Sequence, residues 1–339
     1  MANPNDEVIL MSHGGGGRRT HQLLRDHILP PLDNPILRQM DDSACVDIGG
    51  AELAITTDSY VIRPLFFPGG DIGRIAVCGT VNDLAMQGAK PLYLTLGLIL
   101  EEGLLLSDLD RIMQSIATAA REAGVQVIAG DTKVVERGAG SGVFINTSGI
   151  GQQRPGINTH IANARPGDVV LITGTIGDHG MAVLSMREGL QFQTTLVSDV
   201  APLNDLVSVL LKAVPSVHVL RDPTRGGVAA ALHDVATAAK VCVKLDETAL
   251  PVRAEVRGVC GLLGLDPLTV ANEGKALVIC AAADEARALA ALRAHPLGGD
   301  ACRIGEVCAD PASRVLLRTR IGGERLVELP LGDDLPRIC

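Results

Sequence analysis

The sequence lacks tryptophan and has few aromatic residues, which account for 2% of its 339 positions. It also lacks an excess of basic residues, because its formal net charge is −9. Proteins that bind nucleic acid usually combine a basic surface with aromatic side chains on which bases stack. We therefore expect no nucleic-acid partner.

Long apolar runs are absent too. The longest, residues 92–100, is shorter than the run of about 18 apolar residues that a membrane-spanning helix needs. The first residues, MANPNDE, lack the basic and apolar regions of a signal peptide. These patterns predict no membrane association and a cytoplasmic location.

Cysteine motifs are a third absence. The eight cysteines include no C-x-x-C pair and no cysteine–histidine cluster with zinc spacing. In a reducing compartment we expect most of them to be small buried residues, especially Cys78, Cys242 and Cys280, which lie in apolar runs. Cys339 differs because it is the last residue.

What is present is a series of helix and strand patterns that predicts an α+β fold. Helices are predicted at residues 20–27, 71–88, 107–124, 179–189, 203–213, 227–239 and 284–294. Strands are predicted near residues 53–57, 92–100, 125–129, 142–150, 168–173, 217–220, 241–245, 275–281, 302–308 and 314–318.

The length favours two domains, and prolines and glycines mark a connection at residues 152–167. The last eleven residues carry two prolines and a glycine, which prevent a stable helix. We predict a glycine-rich segment at 1–40, an N-terminal ATP-binding and dimerisation domain at 41–153, a C-terminal domain at 154–328 and a flexible tail at 329–339.

Aspartates recur in short turn-like motifs and on one predicted helix. Asp83 shares a face of helix 71–88 with Ile72 and Ala76, which points it toward the core. A carboxylate buried there needs a cation or a proton. Mg²⁺ bound to nucleotide phosphates fits, because it takes oxygen ligands and usually only one or two carboxylates.

Taken singly, each of these aspartates is more simply explained as a turn or cap residue. As a group they favour a Mg–ATP site, with members at Asp42, Asp58, Asp83, Asp131 and Asp222.

Glycines 14–17 form a second candidate motif. Backbone N–H groups of glycines approach phosphate closely, and the start of a following helix adds positive potential. The run does not have P-loop spacing, however, and a flexible linker is an equal interpretation.

Two further residues are candidate catalytic groups. Lys133 lies in a GDTK motif and Glu273 in an NEGK motif, each after a strand or turn where catalytic groups are often presented. Taken alone, each is better explained as a solvated surface charge, and Lys133 beside Asp131 also fits a local ion pair of little energetic value.

Cys339 ends a proline-bearing segment that spans about 30 Å if it is extended from Leu329. A thiol on such an arm is able to visit more than one active site. Chance placement of a cysteine is the alternative interpretation.

Together these motifs resemble the HypE hydrogenase maturation family, within the superfamily of aminoimidazole ribonucleotide synthetase, selenophosphate synthetase and thiamine-monophosphate kinase. The resemblance covers essentially the whole chain, and the PRIC ending is its most specific part. The shared motifs are HGGGG from His13, MDDSA from Met40, TDS from Thr57, VNDLAMQGAKP from Val81, GDTK from Gly130, RDPTRGG from Arg221, NEG from Asn272 and PRIC from Pro336.

The resemblance implies an N-terminal domain whose sheet pairs with its twin in a homodimer, giving a barrel-like sheet between subunits. It implies a C-terminal domain with a mixed sheet flanked by helices. It also implies a reaction: the carbamoyltransferase HypF loads a carbamoyl group onto Cys339, and ATP-dependent dehydration converts it to a thiocyanate. Cyanide then passes to iron on the HypC–HypD complex, for [NiFe]-hydrogenase.

In this family reading, Cys339 carries the reacting group. Lys133 or Glu273 is the base, and the other orients the carboxamide. Mg²⁺ is held on ATP by Asp42, Asp83 and Asp222, and the expected nucleotide-binding residues are Gly15, Gly16, Asp58, Asp131, Thr132 and Arg225.

Two alternatives belong to other functional classes. One is a superfamily relative that phosphorylates a free small molecule, of the thiamine-phosphate or purine-synthesis type, for which the tail is dispensable. The other is a non-enzymatic scaffold that docks maturation partners, for which Asp83 is dispensable.

Overall fold

A computed structural model describes residues 8–187, 196–309, 313–330 and 338 of the chain. Within them, two mixed β-sheets each pack against helices, which confirms the predicted α+β class. The predicted tail falls mostly outside the described residues, as does Cys339 itself. No helix in the described ranges is both long enough and apolar enough to cross a bilayer.

The N-terminal sheet has five strands in the order β1-β2-β7-β5-β6. Neighbouring strands run antiparallel, except that β5 and β6 are parallel. A two-stranded hairpin, β3 with β4, precedes the first long helix. The strands are β1 Ala44–Ile48, β2 Ala51–Tyr60, β3 Phe66–Phe67, β4 Gly70–Asp71, β5 Lys90–Glu101, β6 Gln126–Val135 and β7 Val143–Gln152.

Two helices cover one face of this sheet, α2 Ile72–Met86 and α3 Leu106–Ala123, and a short helix, α1 Arg18–Leu23, precedes it. Asp71 begins α2 as an N-cap, because its carboxylate accepts the N–H groups of Gly73 and Arg74. Almost every residue of α2 is buried. This helix is therefore held between the N-terminal sheet and the C-terminal half of the chain.

The other face of the N-terminal sheet is exposed. Along β5, Leu94, Leu96 and Leu98 are buried under the helices, whereas Tyr93 and Ile99 on the alternate face are exposed. The edge strand β6 is exposed over nearly its whole length.

The C-terminal sheet has seven strands in the order β14-β13-β10-β12-β8-β11-β9, of which only β10 and β13 are a parallel pair. One face packs against α6, and the opposite face against α5 and α8. The strands are β8 Asp168–Ile172, β9 Val219–Arg221, β10 Cys242–Asp246, β11 Leu277–Ala281, β12 Cys302–Cys308, β13 Val315–Arg318 and β14 Glu324–Leu326. The helices are α4 Asp178–Arg187, α5 Asn204–Ala213, α6 Gly227–Ala239, α7 Ala254–Leu263 and α8 Glu285–Arg293.

Most predicted elements are present with small shifts, and two of the departures have a physical cause. Helix α7 was not predicted, since Gly258 and Gly261 lower its helix propensity. Strand β6 continues past the predicted end at residue 129, because its parallel pairing with β5 runs on through Gly130. The short strands β1 and β14 were also missed. The domain boundaries stay a prediction.

Candidate active site

Three aspartates from three different elements meet in one cluster. Asp42 precedes β1, Asp83 lies on α2, and Asp222 follows β9. One carboxylate oxygen from each lies within 4.8 Å of the others. The structure therefore brings together all three aspartates that the sequence singled out as metal ligands.

The cluster is electrostatically strained. Burial raises the pKa of Asp42 and of Asp83 well above the usual value, and neighbouring carboxylates, above all Asp222, add to the effect. Burial likewise raises the pKa of Asp222 to about 6. Such a set of oxygen donors favours a cation, because a bound cation relieves both the burial cost and the mutual repulsion.

Arg221 supplies part of the positive charge. Its guanidinium contacts Asp42 at 2.6 Å and Asp234 at 3.0 Å, and its side chain is 15% exposed. These carboxylates raise the pKa of Arg221 although burial acts in the opposite direction, so the group stays charged. Thr56 adds a neutral hydrogen bond, since its hydroxyl lies 2.9 Å from Asp83 Oδ2.

Glu273 lies beside this cluster. It is 3% exposed, and its Oε1 has no hydrogen-bond partner among the described residues. Burial raises the pKa of Glu273 well above the usual value, and the next largest cause is the charge of Asp222. A buried carboxyl with a raised pKa is a candidate proton acceptor or donor.

Two buried asparagines fix the segment that carries Glu273. The side-chain amide of Asn272 donates to the Pro223 carbonyl at 3.0 Å, which ties this segment to the Asp222 turn. The side-chain amide of Asn82, the neighbour of Asp83 on α2, contacts the Glu273 carbonyl at 3.4 Å. Glu273 is thereby held against both the α2 and the Asp222 sides of the cluster.

The glycine run packs against the turn that follows Asp222. Gly16 has φ +75°, and a Cβ there would lie 2.9 Å from the backbone of Arg225, so only glycine fits without strain. A cavity of about 690 Å³ opens beside this contact. It is lined by both segments and by the start of α6, including His13, Gly14, Gly16, Asp222, Thr224, Arg225 and Gly227.

Asp58, another of the expected nucleotide-binding residues, lies near Arg225. Its Oδ1 is 3.9 Å from Arg225 Nη2, and its charge contributes to the raised pKa of Asp83 and of Asp222. Gly15 adjoins Gly16 and ends a short 3₁₀ turn.

The exposed edge strand β6 carries three more of the predicted site residues, away from the acidic cluster: Asp131, Thr132 and Lys133. Lys133 Nζ contacts Asp131 Oδ2 at 2.6 Å, and both side chains are about 70% exposed. Lys133 pairs laterally with Ile99 and Asp131 with Gly97, which places both on the sheet face opposite α2 and α3. Within one chain, Glu273 and not Lys133 adjoins the acidic cluster.

The penultimate residue, Ile338, is buried in the N-terminal core at 3% exposure. Its carbonyl oxygen lies 2.5 Å from Nε2 of the buried His179. Asp199 acts electrostatically on His179 and accepts the backbone N–H of Glu273 at 3.1 Å. The residue that precedes Cys339 is thus linked, through two side chains, to the segment that carries Glu273.

Asp199 also pairs with Lys275, whose Nζ lies 3.1 Å from its Oδ2. Sequence reasoning missed five residues of the site: Arg221, Asp234, His179, Asp199 and Lys275. Arg221 could have been predicted, because it directly precedes Asp222 in a motif already identified. Lys275 likewise belongs to the NEGK motif that contains Glu273. The other three carry no local motif, and only the tertiary structure brings them to the site.

Known proteins resemble this chain in sequence and in fold. Sequence models of the N-terminal and C-terminal domains of AIR synthase related proteins match residues 40–153 and 165–318. The protein named carbamoyl dehydratase HypE from Cupriavidus necator is 54% identical over 97% of this chain and 94% of its own length.

Two crystal structures are also similar. HypE in a HypE–HypF complex is 49% identical, with a TM-score of 0.87 over 91% of this chain and 99% of its own. HypE in complex with ATP is 48% identical, with a TM-score of 0.83 over 98% of this chain and 100% of its own. On the strength of this identity over nearly its full length, the chain belongs to the HypE carbamoyl dehydratase family.

Proposed function

We propose that this protein uses ATP to dehydrate a carbamoyl group, carried on the thiol of Cys339, to a thiocyanate that supplies cyanide ligands for [NiFe]-hydrogenase. The observation that carries the proposal is the burial of Ile338 beside His179 and Asp199, which links the end of the chain to the Glu273 segment. Relatives named carbamoyl dehydratase HypE and a HypE structure with ATP support the same activity.

The chemistry requires a better leaving group than oxide. The carbamoyl oxygen attacks the γ-phosphorus of ATP, the bond from this phosphorus to the ADP oxygen breaks, and ADP leaves. Loss of two N–H protons and cleavage of the carbon–oxygen bond then release inorganic phosphate and leave a carbon–nitrogen triple bond on sulfur. We assign removal of an N–H proton to Glu273, whose buried carboxyl adjoins the cluster.

The residues around Asp222 fit a magnesium ion. Asp42, Asp83 and Asp222 present only carboxylate oxygens, and their mutual repulsion favours a divalent cation. When bound, Mg²⁺ neutralises phosphate charge and aligns the transferred group. The cavity beside Gly16 and Arg225 would hold the nucleotide, with Gly15 and Asp58 adjoining it and the start of α6 favouring phosphate.

A homodimer would bring in the exposed face of the N-terminal sheet. Apolar residues such as Ile55, Tyr93 and Ile99 are exposed there, and they would be covered if two such sheets formed a barrel-like interface. Because Lys133 and Asp131 lie on this same face, we assign them to the site of the second copy.

Mixed dimers test this assignment. We expect the Lys133→Ala and Glu273→Ala proteins each to be inactive alone. If Lys133 acts across the interface, mixing them in equal amounts restores about a quarter of wild-type activity, because about half of the dimers are then mixed and one of the two sites in each mixed dimer is intact. If both residues act within one chain, mixing restores nothing.

The proposed partners follow from the reaction. HypF would load Cys339, in keeping with the crystallised HypE–HypF complex, and the HypC–HypD complex would receive the cyanide. We place the reaction in the cytoplasm, where ATP is available and thiols stay reduced. The cysteines in the described ranges are free thiols.

ATP turnover in variants tests the function against its alternatives. We expect ADP formation to depend on a carbamoylated Cys339, and to be lost in Cys339→Ser and Glu273→Gln. Unchanged turnover of a diffusible substrate by Cys339→Ser would favour a small-molecule kinase. Full maturation activity of Asp83→Ala would favour a scaffold.

A further inference from the structure

His179 lies in the interior at the start of α4, and three groups surround its ring. Its Nδ1 is 2.8 Å from the Ser198 hydroxyl, and its Nε2 is 2.5 Å from the Ile338 carbonyl. The ring of Phe67 packs against it edge-on, with the centroids 5.5 Å apart and an interplanar angle of 87°.

These contacts select one tautomer. A carbonyl oxygen only accepts, so Nε2 carries the hydrogen and donates it to Ile338. The Ser198 hydroxyl then donates to Nδ1, while its oxygen accepts the backbone N–H of Val200 at 3.1 Å. Burial lowers the pKa of His179, which favours the same neutral ring, and Asp199 is the charged group that acts against this shift.

The Ile338 side chain occupies an apolar slot. It belongs to the same buried core as Phe67, Val183, Val200 and Ala271, residues that come from both halves of the chain. The polar contact at the carbonyl and the apolar contact at the side chain act on the same residue.

We propose that His179 is a positioning residue that recognises the docked end of the chain: its Nε2–H binds the Ile338 carbonyl while the adjacent slot accepts the Ile338 side chain. Because Cys339 is bonded directly to Ile338, this single anchor limits where the thiol is able to go. The inference rests on the proposed function, since it concerns delivery of the group that Cys339 carries.

The anchor is suited to reversible docking. One hydrogen bond and one buried aliphatic side chain stabilise a bound segment only moderately, so the end of the chain is also able to leave for a loading partner. Ser198 is part of the anchor, because its hydroxyl holds the imidazole in the tautomer that donates.

Thiol labelling of the full-length protein tests the proposal without relying on catalysis. The rate at which iodoacetamide modifies Cys339 is measured by mass spectrometry of the C-terminal peptide. We expect labelling to be about tenfold faster in His179→Ala and in Ile338→Ala, with Ile338→Val close to wild type. His179→Gln should restore part of the protection, since its amide also donates.

Two controls separate positioning from folding. His218→Gln alters another mostly buried histidine, which pairs with Asp168, and should leave Cys339 labelling unchanged. ATP binding should also be unchanged in the His179 variants. If His179→Ala unfolds the protein, the His179→Gln and Ile338→Ala rates decide in its place.

The outcomes are distinct. Equal Cys339 labelling in wild type, His179→Gln and Ile338→Ala overturns the anchor. Single-turnover dehydration about tenfold slower in His179→Ala, with unchanged carbamoyl loading, supports it. If wild-type protein fails to dehydrate its carbamoyl group although labelling responds to His179, the proposed function fails and the anchor stands.

Discussion

The guanidinium of Arg221 lies 2.6 Å from the carboxylate of Asp42, one of the three clustered aspartates, and also contacts Asp234. One buried cation therefore joins the acidic cluster to helix α6, which carries Asp234. The stability of the site and its affinity for ligands should both depend on this residue.

Replacing Arg221 with Met should destabilise the fold by about 3–5 kcal/mol, because it leaves buried carboxylates without a partner. Urea unfolding measures the change. Arg318→Met is the matched control, since that arginine pairs with Asp246 at the surface and its loss should change stability far less. Similar losses in the two variants would contradict the role of Arg221.

Magnesium binding should depend on pH around the pKa of Asp222. This carboxyl has a pKa of about 6, so below that pH a proton occupies the site and Mg²⁺ must displace it. Calorimetry should show weaker binding with more proton release about one unit below this pKa, and tighter binding with less release about one unit above it. The Asp222→Asn variant should bind Mg²⁺ weakly at both pH values. Wild-type binding that is independent of pH would contradict the assignment.

Gly16→Ala should weaken ATP binding about tenfold, because its backbone has φ +75° and a Cβ would press against the backbone of Arg225. Gly14→Ala is the control, since a Cβ at Gly14 has no atom within 4 Å. Equal ATP affinity in the two variants would separate the glycine run from the nucleotide site.

Acid stability should depend on Lys275. Although burial acts to raise it, the charge of Lys275 and the backbone N–H of Glu273 bring the pKa of Asp199 below its usual value. A lowered pKa in the folded state stabilises the protein at pH values above the unfolded pKa of about 3.9, and this contribution is lost as the pH falls further.

In Lys275→Met, burial would instead raise the pKa of Asp199 above its unfolded value. The ionised carboxylate would then destabilise the fold near neutral pH, and its protonation as the pH falls would recover stability. Urea unfolding at neutral and at acidic pH gives the comparison: the loss of stability in Lys275→Met should be large at neutral pH and should shrink as the pH falls. Lys244→Met, which removes an exposed pair with Glu324, should change stability little at either pH. A loss in Lys275→Met that is the same at both pH values would contradict the role of the pair.

Much of the site was predictable because its aspartates lie in short, recognisable motifs. Asp83 was identified from helical spacing alone, since a charged residue on an apolar helix face requires a partner. Its proximity to Asp42 and Asp222 required the family resemblance, because neither spacing nor composition relates the ends of separate strands.

The rest depended on tertiary structure. His179 and Ile338 are 159 residues apart, and no local pattern marks their contact. The face on which Lys133 lies is set by the register of β6 with β5, which the sequence leaves open. Helix α7 could not be predicted from its sequence, because its glycines lower helix propensity and the helix is stabilised by packing.

The central claim is that ATP activates the oxygen of a carbamoyl group on Cys339. Loading the protein with carbamoyl groups labelled with oxygen-18, followed by one turnover with ATP, tests this directly. We predict that the label appears in inorganic phosphate while the C-terminal peptide loses the mass of one water molecule. Unlabelled phosphate, or hydrolysis of ATP with the carbamoyl oxygen retained on Cys339, would contradict the account.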